Sequence, residues 1–246
     1  MKRRLFVASS LSAAGLTGCG VGNALTQNQT VHNILTSVDV LNHGLIGTRG
    51  MAKEYTDADV DKNFRTNGFA TPASSRYIGY LKDKFASYRL VVDGLVDNKQ
   101  TFTVAQLRAM PLSTQITRHD CVEGWSVIGK WRGVRVADVL AMVKPQQGAR
   151  YVVFHCMDVD DQGTPYYESL DLHEAAHPQT ILALDLNDAP LDPDHGAPVR
   201  MKIPTQLGYK SAKWVDHIEV VSTFAHIFSG KGGYWEDNGY NWYAGI

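Results

Sequence analysis

The chain has 246 residues, 44% of them hydrophobic, and a formal charge of -1. That is enough apolar material for one large core or two small ones, and the near-neutral balance gives no basis for nucleic-acid or acidic-membrane binding. Its 11 Tyr and 5 Trp suit a β-rich body better than a helical bundle.

Residues 1–18 read as an export signal. Lys2-Arg3-Arg4 is a positive start, and Leu5 to Leu16 is an apolar stretch too short to span a bilayer. Leu16-Thr17-Gly18-Cys19 looks like a bacterial lipobox, which would make Cys19 the lipidated N-terminus, and the Arg3-Arg4 pair resembles a twin-arginine signal. These features predict a lipoprotein anchored in the bacterial periplasm, with residues 19–55 as a tether containing a short helix over Val31–Leu45. In that oxidising compartment Cys121 and Cys156 remain, either as a disulfide or as free thiols.

Residues 56–228 are expected to form the main domain. Asp57 to Pro72 reads as a loop, and Tyr88 to Val92 as a strand followed by an Asp93-Gly94 turn and a second strand starting at Leu95. Thr103 caps a short helix that Pro111 stops. Ser113 to His119 has β propensity, Trp131 to Val134 reads as a tight turn, and Ala137 to Val143 as an apolar helix ended by Pro145. Arg150 to Cys156 is a continuous apolar strand, Asp158, Asp160 and Asp161 a solvated turn, and Tyr166 to Leu172 leads into a helix over Leu172–Ala176. Ile181 to Leu186 with Ala189-Pro190-Leu191 form a hairpin edge. Val199 to Ile203 and Val215 to Val221 are further strands, and residues 229–246 a Gly/aromatic tail wrapping the surface. The mixture is α+β with strands dominating.

Two clusters carry chemistry. In Thr117-Arg118-His119-Asp120-Cys121-Val122-Glu123-Gly124-Trp125-Ser126, a thiol stands among polar groups rather than aliphatic ones, as a metal ligand or nucleophile does. Arg118 and His119 are placed to favour its thiolate, Glu123 to act as a general acid, and Trp125 to wall the pocket. The second cluster runs from His195-Gly196-Ala197-Pro198-Val199-Arg200 to Gly208-Tyr209-Lys210-Ser211-Ala212-Lys213. Its Arg, Lys, His and two glycines are what a large anionic cofactor needs. A zinc site from His119, Cys121, His155 and Cys156 lacks ordinary ligand spacing.

Together the clusters resemble the sulfite oxidase family of molybdenum-molybdopterin enzymes, and within it the bacterial periplasmic protein-methionine-sulfoxide reductase catalytic subunits. Cys121 to Ser126 matches the metal-ligand segment and Asp171 to Thr180 continues the match. The resemblance implies a single β-rich catalytic domain of sulfite-oxidase type, one molybdopterin per chain, molybdenum on Cys121 and Glu123 near it. It implies pterin contacts from Asn63, Asn67, Cys156, His195, Arg200 and Lys213, and backbone contacts from Ser211 and Ala212. The expected chemistry is two-electron oxygen-atom transfer, reducing a small or protein-bound S- or N-oxide, with a membrane cytochrome or other redox protein as electron partner. Sulfite oxidation is the rival, disfavoured by the negative Glu123; a cofactor-free periplasmic binding lipoprotein on the same scaffold is the other.

Overall fold

The computed structural model describes residues 50–69 and 71–246. Cys19, the export signal and the helix expected over Val31–Leu45 lie outside them. Two sheets pack face to face. The first is ordered β2 (Gln100–Phe102), β1 (Leu90–Gly94), β10 (Val215–Val221), β5 (Tyr151–Val159), β6 (Pro165–Asp171), with β1 and β10 parallel and the other pairs antiparallel. The second is the antiparallel run β3 (Leu112–Asp120), β4 (Ser126–Arg135), β7 (Ile181–Leu186), β8 (Ala189–Pro190), with β9 (Arg200–Lys202) also on β7.

The main core lies between them: Leu90, Val92, Phe154 and Ile218 meet Val134, Leu182, Leu184 and Met201. Each such side chain, fully buried, stabilises the fold by about 1.5–3 kcal/mol.

The helices follow their local signals. In α2 (Val104–Ala109) Thr103 and Gln106 form a reciprocal capping box, and Met110 is extended ahead of Pro111. In α3 (Val136–Val143) Val136, Val139, Leu140 and Val143 make one buried stripe. Sequence reading missed α1 (Ser75–Lys82), whose Ser74 cap accepts from the Tyr77 N–H and whose buried residue is Tyr77 alone. A single anchor gives too weak a periodicity to see. The helix after β6 is the single turn α4 (Leu172–Ala175). No helix among the described residues is long and apolar enough to cross a membrane.

Three expectations are corrected. The strand pairing with β1 begins at Gln100, not Leu95; Leu95 still bonds the Val220 carbonyl, and the intervening residues form the loop. Trp131 to Val134 is not a turn but the middle of β4. Trp131 is fully buried, and Gly133 marks where β4 slips register against β7. A Cβ at Gly133 would sit 2.0 Å from the Leu182 carbonyl oxygen, so this glycine serves a bulge and a close approach. The tail, finally, does more than coat the surface. Its turn α5 (Tyr234–Asp237) drives Glu236 inside, where it is 1% exposed.

Two glycines should respond oppositely to alanine. Gly79 is exposed in α1 with open space at its Cβ, so Gly79→Ala should gain about 1 kcal/mol and raise Tm by roughly 2–4 °C. Gly133→Ala should cost about 1–3 kcal/mol by overpacking and lower Tm. Calorimetry on the two variants reads both signs.

Candidate active site

Cys121 occupies the tip of the β3–β4 hairpin. The β3 ladder closes at Asp120–Ser126, and the loop is fixed by the Cys121 N–H on the Trp125 carbonyl at 2.9 Å and the Gly124 N–H on the Cys121 carbonyl at 3.0 Å. Ser126 Oγ donates to Asp120 Oδ1 at 2.6 Å, and Arg118 pairs with the same carboxylate at 2.8 Å. Strand alternation turns Gln115, Thr117 and His119 inward, with the His119 ring 6.0 Å from that of Trp125. His119 packs against Trp125 and Gly208 but makes no hydrogen bond to the thiol, and Arg118 is engaged with Asp120. Burial, reinforced by the Glu123 charge, pushes the Cys121 thiol up rather than down. Cys121 and Cys156 are both free.

Cys121, Val122 and Glu123 share a cleft with Asn67, Phe69, Asp158, Tyr166, Tyr209, Ser211, Ala212, Lys213 and Trp235. Behind its floor lies an unusual concentration of buried positive charge. Arg200 is fully buried; its guanidinium donates to carbonyls, those of His195 and Ser211 at 3.1 Å and Met201 at 3.3 Å, and lies over the Trp131 ring at 5.0 Å. Lys202 Nζ bonds the Arg118 carbonyl at 2.9 Å, and Lys213 Nζ those of Phe69 and Asp194 at 2.8 and 3.0 Å. Among the described residues none of the three has a carboxylate within ion-pair distance.

Burial, with Arg200 as the added cation, drives Lys202 and Lys213 down to about 7, and burial drives Arg200 down to about 10. Burying cations without counter-charge is costly. Unsatisfied polar atoms gather here as well: both ring nitrogens of His119, Asn67 Oδ1, Asp158 Oδ1 and Trp131 Nε1. The short 3₁₀ turn Gly208–Lys210 lies against His119, where any Cβ on Gly208 would be 2.4 Å from Nε2.

Other expected residues lie elsewhere. Asn63 is exposed and outside the cleft. Its neighbour Phe64, unnoticed in the sequence, wedges edge-on between Trp131, His195 and His119 at 5.1–5.8 Å. Cys156 sits in the core between the sheets, where burial raises its thiol well above the ordinary range. Both His195 nitrogens are occupied, one by Asp192 at 2.8 Å and one by the Phe64 carbonyl at 3.0 Å; the residue braces the loop leading to Arg200. The Ser211 hydroxyl accepts from the Ile203 N–H, so it faces the cleft mainly as backbone. Trp125 stacks on the cation of Arg65 at 4.7 Å and donates to Glu123 at 2.7 Å; it fixes the loop from outside the cleft.

Asp158 is the residue that sequence reading missed most. It is buried on β5, not part of a solvated turn, and burial lifts its carboxyl to about 7. Asp160, two residues on, is the true turn residue, accepting from the Gln162 and Thr164 N–H groups. The buried Met157 beside it was the available signal. Among the described residues no three His, Cys, Asp or Glu side chains converge to hold a metal unaided, so Cys121 stands as a lone thiol donor above an anion receptor.

The family described as the oxidoreductase molybdopterin binding domain matches residues 79–228. A protein of Azospira oryzae named "Putative protein-methionine-sulfoxide reductase subunit YedZ1" is 36% identical over 99% of this chain and 87% of its own length. The protein-methionine-sulfoxide reductase catalytic subunit MsrP of Ralstonia nicotianae is 34% identical over 65% of this chain and 50% of its own. Among solved structures, the sulfane dehydrogenase SoxCD of Paracoccus pantotrophus shares the fold, with a TM-score of 0.50 at 21% identity, over 55% of this chain and 38% of that one. The chain belongs to the molybdopterin-binding oxidoreductases of sulfite-oxidase type, and it is a molybdenum-cofactor enzyme. Uncompensated cations, orphaned donors and acceptors and a lone thiol fit that phosphate-bearing group.

The buried lysines predict a stability signature for cofactor-free protein. Lys202 and Lys213 release protons on folding, since their folded values near 7 lie below the unfolded 10.5. The unfolded state then binds more protons between these values, so stability rises with pH across roughly 7.5–9. Thermal melts of cofactor-free protein should show that rise, and Lys202→Met should flatten it; an unchanged slope would count against the uncompensated charge.

Proposed function

We propose that the chain reduces an S-oxide or N-oxide by two-electron oxygen-atom transfer, with methionine sulfoxide in proteins as the substrate class and one molybdopterin per chain. The observation that carries this is the charge at the mouth beside Cys121. Arg65 is engaged with Glu123 at 3.8 Å and with the Trp125 ring, while Phe69, Val122 and Trp235 supply apolar wall. A neutral oxide meets no opposing charge there, whereas anionic sulfite meets an exposed carboxylate. Two relatives named as methionine-sulfoxide reductase subunits support the same reading.

The reaction balances as one sulfoxide plus two electrons and two protons giving one thioether plus water: the S–O bond breaks, sulfur is reduced, and oxygen leaves as water. When bound, the molybdenum cofactor would supply the two-electron oxygen-transfer chemistry. Cys121 would hold the metal through its sulfur. Arg200 and Lys213, with Lys202 behind, would hold the anionic end, and Asn67, Ser211 and Ala212 would meet the pterin from the cleft walls. Glu123 is half exposed and held by the Trp125 N–H; it can take protons from solvent and pass them to the departing oxygen. A membrane cytochrome or similar redox protein would deliver electrons, in keeping with the "subunit" in both relatives' names. The N-terminal sequence supports export through residues 1–18, lipidation at Cys19 and a tether over 19–55, holding the 56–228 domain and the 229–246 tail in the periplasm.

Loaded protein given a reduced viologen should turn over a methionine-sulfoxide peptide and oxidise sulfite slowly or not at all. Faster sulfite oxidation with ferricyanide would overturn the reading. Cys121→Ser should lose turnover to background while retaining pterin, measured by fluorescence of the extracted cofactor.

A further inference from the structure

The family match ends at residue 228, yet the segment beyond it forms one wall of the Cys121 cleft. That wall is pinned from inside. Lys210 is fully buried between two carboxylates, Glu168 at 2.6 Å and Glu236. Glu236 belongs to α5 (Tyr234–Asp237), Glu168 to β6, and Lys210 to the turn that runs into Ser211, Ala212 and Lys213. One buried ion cluster therefore ties the cleft floor to the tail. Gly233 lets the tail come this close: a Cβ there would sit 2.0 Å from Glu236 Oε2 and 2.7 Å from Glu168 Oε2. The Tyr167 hydroxyl on Asp237 at 2.7 Å and the Tyr234 hydroxyl on Asp160 at 2.9 Å complete the fastening.

What this construction presents is Trp235, the residue next to the pin. Its ring lies over Tyr240 at 5.1 Å, meets Tyr234 edge-on at 5.3 Å, and approaches Phe69 at 6.3 Å. The same cleft is lined by Val122, directly after the thiol and 47% exposed. A fixed indole and an exposed aliphatic side chain lining one cleft beside a thiol make a poor site for a hydrated ion and a good one for an alkyl group on sulfur, which packs favourably on aromatic rings.

We propose that Trp235, with Phe69 and Val122, forms the subsite that takes the apolar arm of an S-oxide substrate, and so sets selectivity for alkyl sulfoxides over small hydrophilic oxides. This rests on the S-oxide reading above and assigns its specificity to the tail. Tyr240 is also partly exposed behind Trp235, so the apolar surface continues to the rim, where a sulfoxide carried on a polypeptide can enter side chain first.

The test uses loaded wild-type enzyme, Trp235→Ala and Trp235→Phe, with reduced viologen and two substrates, N-acetylmethionine sulfoxide and trimethylamine N-oxide. One lost apolar contact changes selectivity by about 10- to 100-fold. Trp235→Ala should therefore lower the sulfoxide preference by about that factor, chiefly through KM, and Trp235→Phe should recover most of it. An independent readout needs no turnover. In oxidised enzyme labelled with ¹⁵N-Trp, the indole resonance missing from Trp235→Phe should shift on adding N-acetylmethionine sulfoxide. Parallel losses on both substrates, or a resonance that does not move, would overturn the subsite. If wild type shifts that resonance yet reduces no sulfoxide, the subsite stands and the reduction reading falls.

Discussion

Positive charge buried without a protein counter-charge is the constraint on which the site depends. Arg200, Lys202 and Lys213 are held by backbone carbonyls and by the rings of Trp131 and Trp214 at 4.1–5.7 Å, which engage them without neutralising their charge. A fold left to itself would replace such residues with apolar ones at little cost or some gain. Their retention, beside a histidine with two orphaned nitrogens, makes sense if the missing negative charge arrives with the cofactor. Binding then supplies what folding lacks, and stability and cofactor loading become linked.

Lys210 shows the contrast within three residues. It is as buried as Lys202, yet Glu168 and Glu236 surround it and raise its proton affinity, whereas Lys213 is lowered. Burial and repulsion from Glu236 hold the Glu168 proton more tightly than usual, which moves the three-residue cluster toward neutrality. One lysine is balanced by the chain and fixes a wall. The other is left for a ligand. Both follow from where carboxylates were placed on neighbouring elements, and no local reading of Gly208 to Lys213 separates them.

This explains what was legible in the sequence. The Cys121 run and the Arg200 and Lys213 segments could be read because each is local: a thiol among polar neighbours, and cations near glycines. The strands could be read where one face is buried, and the family resemblance, borne out by the comparisons, joined the clusters. Long-range placement could not be read. Asp158 looks like a turn residue because Asp160 and Asp161 follow it, and its burial comes from an irregular stretch of β5, between His155 and Val159, that no local pattern announces. Phe64 gave no periodic signal because its segment is irregular, although its ring organises Trp131, His119 and His195. Gly133 looked like a turn because the sequence does not reveal the bulge against β7.

The cleft draws on both sheets, and this division bears on how selectivity can change without loss of chemistry. The second sheet supplies the thiol at a hairpin tip and, through β9, the cations Arg200 and Lys202. The first supplies Asp158 and the β6 edge on which the tail docks. On the proposed function, changes to β9 or the β3–β4 tip alter charge that a cofactor would meet there, so they would act on loading. Trp235 belongs to neither sheet; it is carried by one helical turn whose attachment is an ion cluster behind the cleft. Its side chain can vary without disturbing Glu236 or Lys210, because adjacent residues of that turn face different surroundings. On the proposed reading, substrate preference would be the property most open to change, while the side that carries Cys121 is constrained by charge already buried behind the cleft.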